Sequence, residues 1–221
     1  LSETALIALA NHANAAGIEF LCTPFGVAEV QILAPLVKRM KIASGCIARH
    51  DLLDAVLKTK LPIILSTGMC GLEDVRGALE YLCREVTDVR FAVKHHGRDV
   101  TLLHCTSAYP CPINAVNLKA MDTLRKTFGL PVGYSDHTAS IVVPIAAAAR
   151  GAVVIEKHLT LDRNAAGPDH RASIAPPHFK IMVDGIRLVE FALGDGVKRP
   201  QACELPLRKL WHGALPSHRK A

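Results

Sequence analysis

Short continuous apolar segments alternate with amphipathic stretches along this chain, and that alternation constrains the fold more than any other feature. The segments cover residues 18–23, 40–44, 62–67, 101–106, 131–135 and 153–158. Each is a compact apolar run with no polar alternation, as expected of parallel strands covered on both faces. Helical spacing fills the intervals. A helix over 2–16 opens with Ser, Glu and Thr and stops at Gly17 as its C′ residue. The span 72–86 sets Leu72, Val75, Leu79 and Leu82 on one face. Further helices are expected over 114–128, 138–150 and 177–193, the last with prolines at its start. A basic connector over 87–99 reads as a surface excursion.

Strand and helix alternating this regularly imply an α/β protein with a parallel sheet. A doubly wound open sheet would show a G-x-G-x-x-G turn after a strand, and none is present. The alternative is an eight-stranded (β/α)8 TIM barrel, which six strands do not close. Two βα units of roughly 30 residues each would bring the chain to the usual ~250. The expectation is therefore an incomplete barrel of about six units whose first two strands precede Leu1. The barrel domain would span 1–200, with 201–221 as a tail or linker. Leu1-Ser2-Glu3-Thr4 is neither an initiator methionine nor a signal peptide, and reads as a cut end.

Composition narrows the function classes. The chain has 221 residues, half of them hydrophobic and 21% charged, which suits one ordinary globular core. No apolar run approaches the roughly 20 residues of a membrane span. Seven scattered cysteines with no C-x-x-C pair suit buried thiols in a reducing cytoplasm. The net charge of +6 is not gathered into a basic stripe interleaved with aromatics. Its densest groups, 94–98 and 208–220, read as solvated surface, which argues against nucleic acid. A modest positive excess suits small anionic substrates.

In a parallel barrel, chemistry sits at the C-terminal ends of the strands. Those ends carry Thr23, then Lys41 and Ser44, then Ser66 and Thr67, then Ser107 and Tyr109. Ser135, Asp136 and His137 follow, and the last strand ends in Glu156 and His158. Hydroxyls, one lysine and glycine-flanked amides suit a phosphate and a carboxylate. His137 and His158 close strands that should be neighbours about 4.8 Å apart. Two imidazoles are too few for a structural zinc site, but suit a hydrated ion with open positions. The competing reading makes each a satisfied polar residue at a strand end. Alternation puts Glu156 and His158 on one face and Lys157 on the other, where Lys157 needs a carboxylate partner. Asp169, in Gly167-Pro168-Asp169-His170, either reaches over the mouth or serves turn chemistry alone.

The ordered series Thr-Pro-Phe, Lys-Ile-Ala-Ser-Gly, Leu-Ser-Thr-Gly-Met, Leu-His-Cys-Thr-Ser-Ala-Tyr-Pro, Gly-Tyr-Ser-Asp-His-Thr, Ile-Glu-Lys-His and Gly-Pro-Asp-His resembles the N-acetylneuraminate (sialic acid) synthase family. The resemblance implies a TIM barrel that condenses phosphoenolpyruvate with an N-acyl amino sugar such as N-acetylmannosamine, releasing phosphate and a nonulosonic acid. It implies a Mn²⁺ or Mg²⁺ ion on His137 and His158, and a homodimer. It implies phosphoenolpyruvate contacts from Lys41, Ser44 and Ser66, with Thr23 and Ser135 beside them. Ser107 and Tyr109 are implied as amino-sugar contacts. Glu156 and Asp169 are implied as catalytic carboxylates touching the sugar hydroxyls or the metal's water. The family's opening strands carry a catalytic Glu and a phosphoenolpyruvate-binding Lys, which on this reading precede Leu1. A small antifreeze-like domain usually follows the barrel, and residues 207–210 read as the start of its linker.

Two other readings stand beside this one. A synthase acting on a sugar phosphate would share the reaction type, but Ser-Ala-Tyr-Pro and Gly-Pro-Asp-His match the amino-sugar group. A non-catalytic remnant, binding metal or a subunit, would keep the strand-end residues by descent.

Overall fold

The computed structural model describes residues 1–84 and 99–212. The connector at 87–98 and the basic group at 94–98 lie outside them, as does most of the basic tail. The elements run α1 (Glu3–Ala15), α2 (Val27–Leu33), β1 (Met40–Ile42), α3 (His50–Thr59), β2 (Ile63–Ser66) and α4 (Leu72–Leu82). They continue with β3 (Val100–His104), α5 (Ala120–Phe128), β4 (Val132–Asp136), α6 (Val142–Ala149), β5 (Ile155–Lys157), α7 (Pro176–Leu193) and α8 (Leu205–His212).

The five strands pair in parallel in the order β1-β2-β3-β4-β5. A doubly wound sheet reverses its order at a switch point, whereas a barrel lays each strand beside its predecessor. This sheet is therefore a curled sector of a barrel. Most helix-facing residues of β1 to β4 are apolar. Met40, Ile42, Ile63, Leu65, Val100, Leu102, Val132 and Tyr134 pack outward against Leu52, Leu53, Val56, Val75, Leu79, Leu82, Met121, Leu124 and Phe128. Ile64 and Leu103 are buried but stay outside that cluster, because they face the barrel interior. Each fully buried large side chain in the outer layer contributes roughly 1.5–3 kcal/mol.

Several expectations meet this structure directly. Ser2 caps α1 by accepting the Ala5 amide at 3.3 Å, and Gly17 follows the helix at φ +72°. α7 opens on Pro176 and Pro177. The α4 face buries Val75, Ala78, Leu79 and Leu82, while Leu72 at the first position stays 38% exposed. The expected helix over 114–128 begins at Ala120, because a 3-10 turn at Ile113–Ala115 uses its first residues.

One expected strand is corrected. Residues 18–23 turn Phe20 and Cys22 toward the core, but they form no strand. A strand is defined by its ladder, and no backbone bond joins this segment to β1; Ile18 N–H instead bonds back to Ala13 at the end of α1. Among the described residues five strands are formed, not six. Helices α2 and α3 are additions to the sequence reading, and α3 carries a clear signal in buried Leu52, Leu53 and Val56. Among the described residues no helix is long and apolar enough to cross a membrane.

Candidate active site

The register of β4 and β5 builds the centre of the site. Ser135 pairs with Glu156 and Asp136 with Lys157, so His137 and His158 are the next residues on each strand. Period-two alternation then puts Ser135, His137, Glu156 and His158 on the interior face, with Asp136 and Lys157 on the helix side. The two imidazole rings lie 5.4 Å apart, nearly edge to face. Tyr109 covers them, its ring 4.2 Å from His137 and 5.6 Å from His158.

His137 is held in one tautomer. Its Nδ1 lies 2.7 Å from the Thr106 carbonyl oxygen, which can only accept, so Nδ1 carries the proton. Burial pushes the His137 pKa below its ordinary value, which favours the neutral ring with its lone pair on Nε2. Nε2 sits 3.4 Å from the Ser135 hydroxyl oxygen. That hydroxyl donates to Glu156 at 2.7 Å. Glu156 also meets the Lys41 ammonium at 3.1 Å, reaching across from β1. Burial pushes the Glu156 carboxyl up, but Lys41 and the Ser135 hydroxyl outweigh it and leave the group below its ordinary value. Lys41 is buried, and this carboxylate is what makes burying an ammonium tolerable.

A second cluster lies toward β2 and β3. The Gly68 amide donates to Ser44 Oγ at 2.8 Å, and Ser44 Oγ is 3.4 Å from the Cys105 sulfur. A Cβ on Gly68 would stand 2.9 Å from that sulfur, 3.0 Å from Ser44 Oγ and closer still to Ser107 Oγ. Only a glycine leaves room for three side chains at this point. A cleft of about 530 Å³ opens beside them, lined in part by Ser44, Gly68, His50 and Asp74. Ser66 Oγ is buried with no hydrogen-bond partner among the described residues, a polar group left ready for a ligand oxygen.

The carboxylate expected over the mouth is in reach. Asp169 Oδ2 lies 3.9 Å from His158 Nδ1, close enough for charge interaction but not for a hydrogen bond. Its loop is closed at the base by bonds from Thr160 N–H to the Ile174 carbonyl and from Ile174 N–H to the His158 carbonyl. Thr160 Oγ1 and His170 Nδ1, 2.7 Å apart, tie it internally. Lys157 finds its carboxylate in Asp136, at 2.6 Å.

Lys41, Ser135, Glu156, His137, His158, Tyr109 and Asp169 thus form one connected group, and Ser44 and Ser107 form a second around Gly68. Thr23 is half-buried and hydrogen-bonded to neither among the described residues. The sequence reading missed Gly68, Cys105 and the Thr106 carbonyl. The Gly68 signal was present in Ser-Thr-Gly-Met, whereas a backbone acceptor leaves no mark in a sequence. Cys105 and Cys111 are both free thiols.

The described residues hold no group of three or more His, Cys, Asp or Glu arranged for a metal. The histidine pair fits a divalent ion that takes its remaining ligands from substrate or water, since the Nδ1–H bond to Thr106 fixes His137 as metal-ligating histidines are usually fixed.

Comparison with known proteins follows the same lines. A family model described as the NeuB family matches residues 1–198. The chain is 46% identical over 215 residues to an N,N′-diacetyllegionaminic acid synthase of Legionella pneumophila, covering 95% of this chain and 58% of that protein. It is 33% identical over 199 residues to the N-acetylneuraminate-9-phosphate synthase of Homo sapiens, covering 89% of this chain and 52% of that one. The crystal structure of an N-acetylneuraminic acid synthetase from Leptospira borgpetersenii superposes with a TM-score of 0.84 at 32% identity, over 100% of this chain and 73% of that one. The chain spans just over half the length of these two curated relatives.

Proposed function

The chain belongs to the NeuB family, and on that premise we propose that it carries the site of a phosphoenolpyruvate-dependent synthase acting on an N-acyl amino sugar. The observation that supports this most is the convergence of Lys41, Ser135, Glu156, His137, His158 and Tyr109 on one face of the sheet. The reaction joins C3 of phosphoenolpyruvate to the aldehyde carbon of the open-chain sugar. Water then adds at C2, the C–O bond to phosphate breaks, and a nonulosonic acid and phosphate leave.

Lys41, Ser44 and Ser66 take the anionic groups of phosphoenolpyruvate, with Thr23 and Ser135 beside them. Glu156 keeps the Lys41 ammonium paired and pre-placed, so an incoming anion meets a cation that needs no reorganisation. Ser107 and Tyr109 hold the amino sugar, and Glu156 and Asp169 accept hydrogen bonds from its hydroxyls. His137 and His158 would hold Mn²⁺ or Mg²⁺. When bound, the ion supplies positive charge to polarise the aldehyde carbonyl. The residues' own share is orientation: two substrates fixed at near-attack distance can gain several kcal/mol of barrier.

The identity to the legionaminic acid synthase, 46%, exceeds that to the N-acetylneuraminate-9-phosphate synthase, 33%, so a diacetamido trideoxy hexose stands first among candidate sugars. N-acetylmannosamine and its 6-phosphate follow. The same reading carries a homodimer in the cytoplasm, with the barrel over 1–200 and a tail over 201–221. The reading to be told apart from it is a non-catalytic remnant that binds ligand without turning it over.

Phosphate release separates the two. Phosphoenolpyruvate, each sugar and Mn²⁺ are incubated with this chain and with His137→Ala. Release that requires sugar, metal and His137 supports the synthase. A folded chain that binds phosphoenolpyruvate and releases nothing supports the remnant.

A further inference from the structure

Asp136 and Lys157 lie on the opposite side of the sheet from every residue assigned to the site. Their side chains are 0% and 1% exposed, and they face each other across β4 and β5. Asp136 is saturated: it accepts from the Tyr134 hydroxyl at 3.0 Å, the Thr138 amide at 3.2 Å, the Thr138 hydroxyl at 3.0 Å and Lys157 at 2.6 Å. The other two Lys157 donors go to the carbonyls of Thr138 and, at 3.4 Å, Ala172. Among the described residues it is the most fully enclosed ion pair.

A buried pair like this stabilises a sheet no better than two apolar residues of similar volume, so stability does not account for it. What it does specify is alignment. A strand slipped by one residue turns every side chain to the other face. Here such a slip would carry His158 to the helix side and leave Asp136 and Lys157 buried apart. The pair therefore sets a steep penalty on any register except the one that places His137 beside His158. Its third contact reaches further. The Ala172 carbonyl belongs to the loop that carries Asp169, and the Ala172 amide bonds the Asp169 carbonyl at 3.0 Å.

We propose that Asp136 and Lys157 are positioning residues for the site, acting through the register of β4 and β5 to align His137 with His158 and through Ala172 to hold Asp169 above them. Neither touches a reacting atom. The inference rests on the proposed function only for what the histidine pair binds; the alignment itself is independent of it.

The test uses this chain and the double variant Asp136→Leu/Lys157→Met, with two readouts that need no turnover. The first is the nuclear Overhauser contact between the His137 and His158 rings. The second is Mn²⁺ affinity, measured with the metal alone. A double variant that folds, by circular dichroism and a cooperative melt, is expected to lose most of the ring contact. Its Mn²⁺ affinity should weaken about tenfold or more, as when other supports of metal-ligating histidines are removed. Unchanged ring contact and unchanged affinity in a folded double variant would overturn the proposal, since a purely structural pair predicts that result. If the double variant does not fold, Asp136→Asn is judged by the same two readouts and the same criteria. Should the native chain bind no Mn²⁺, the ring contact decides alone. Failure of phosphate release in the native chain would sink the synthase reading and leave this comparison intact.

Discussion

Replacing Lys157 with Met leaves Asp136 as a carboxylate with no exposed surface and no counter-ion. Removing one partner of a buried pair costs about 3–5 kcal/mol, because the remaining charge stays desolvated. Three neutral donors still reach Asp136, from Tyr134 and Thr138, which puts the expected loss toward the lower end. The orphaned Thr138 and Ala172 carbonyls add to it. Against a total stability of about 5–15 kcal/mol that is a large fraction. For a chain of this size it corresponds to a fall in Tm of roughly 6–20 °C. Urea titrations followed by circular dichroism measure the loss in free energy directly. Adding Asp136→Leu to Lys157→Met should recover most of it, because the unpaired charge is gone. A loss below about 1 kcal/mol for Lys157→Met alone would show that the pair is solvated in solution and would refute the reasoning.

Three further outcomes follow from the same geometry. Gly68→Ala forces a Cβ against Ser107, Cys105 and Ser44, so phosphoenolpyruvate affinity should fall about tenfold or more while the melt stays cooperative, as read by calorimetric titration. Glu156 is held below its ordinary 4.5, so its contribution to stability is present above that pH and lost as pH falls through the lowered value. Lys41→Met removes the pull of the ammonium and should move the Glu156 titration upward in carbon-13 spectra. Burial pushes His104 below its ordinary 6.5, so the folded ring stays neutral while the unfolded ring gains a proton as pH falls past that value. Stability should therefore decline as pH falls below about 6.5 through the lowered value, and His104→Gln should flatten that part of the profile.

Much of this was legible in the sequence, for reasons that can be traced. The parallel sheet was visible because strands buried on both faces are written as short apolar runs, as in 62–67 and 131–135. The placing of Glu156 and His158 on one face and Lys157 on the other followed from alternation alone. The need of Lys157 for a carboxylate followed from the cost of burying a charge. The partner itself was hidden, since Asp136 becomes its neighbour only through the register of β4 and β5. Residues 18–23 misled because apolar content marks burial, whereas a strand also needs a ladder partner. The Lys41–Glu156 contact joins residues 115 apart in sequence, and the Thr106 carbonyl that fixes His137 belongs to the backbone. Neither leaves a local pattern.

The central claim is that this face of the sheet makes a carbon–carbon bond between phosphoenolpyruvate and an amino-sugar aldehyde. Phosphoenolpyruvate labelled with carbon-13 at C3, followed by NMR in the presence of the diacetamido sugar and Mn²⁺, tests it directly. The account predicts that the vinyl signal is replaced by a methylene signal, one equivalent of phosphate appearing for each equivalent of product, and that His137→Ala abolishes both. Conversion of the label to a pyruvate methyl group, or a methylene product that forms equally well without His137, would contradict it.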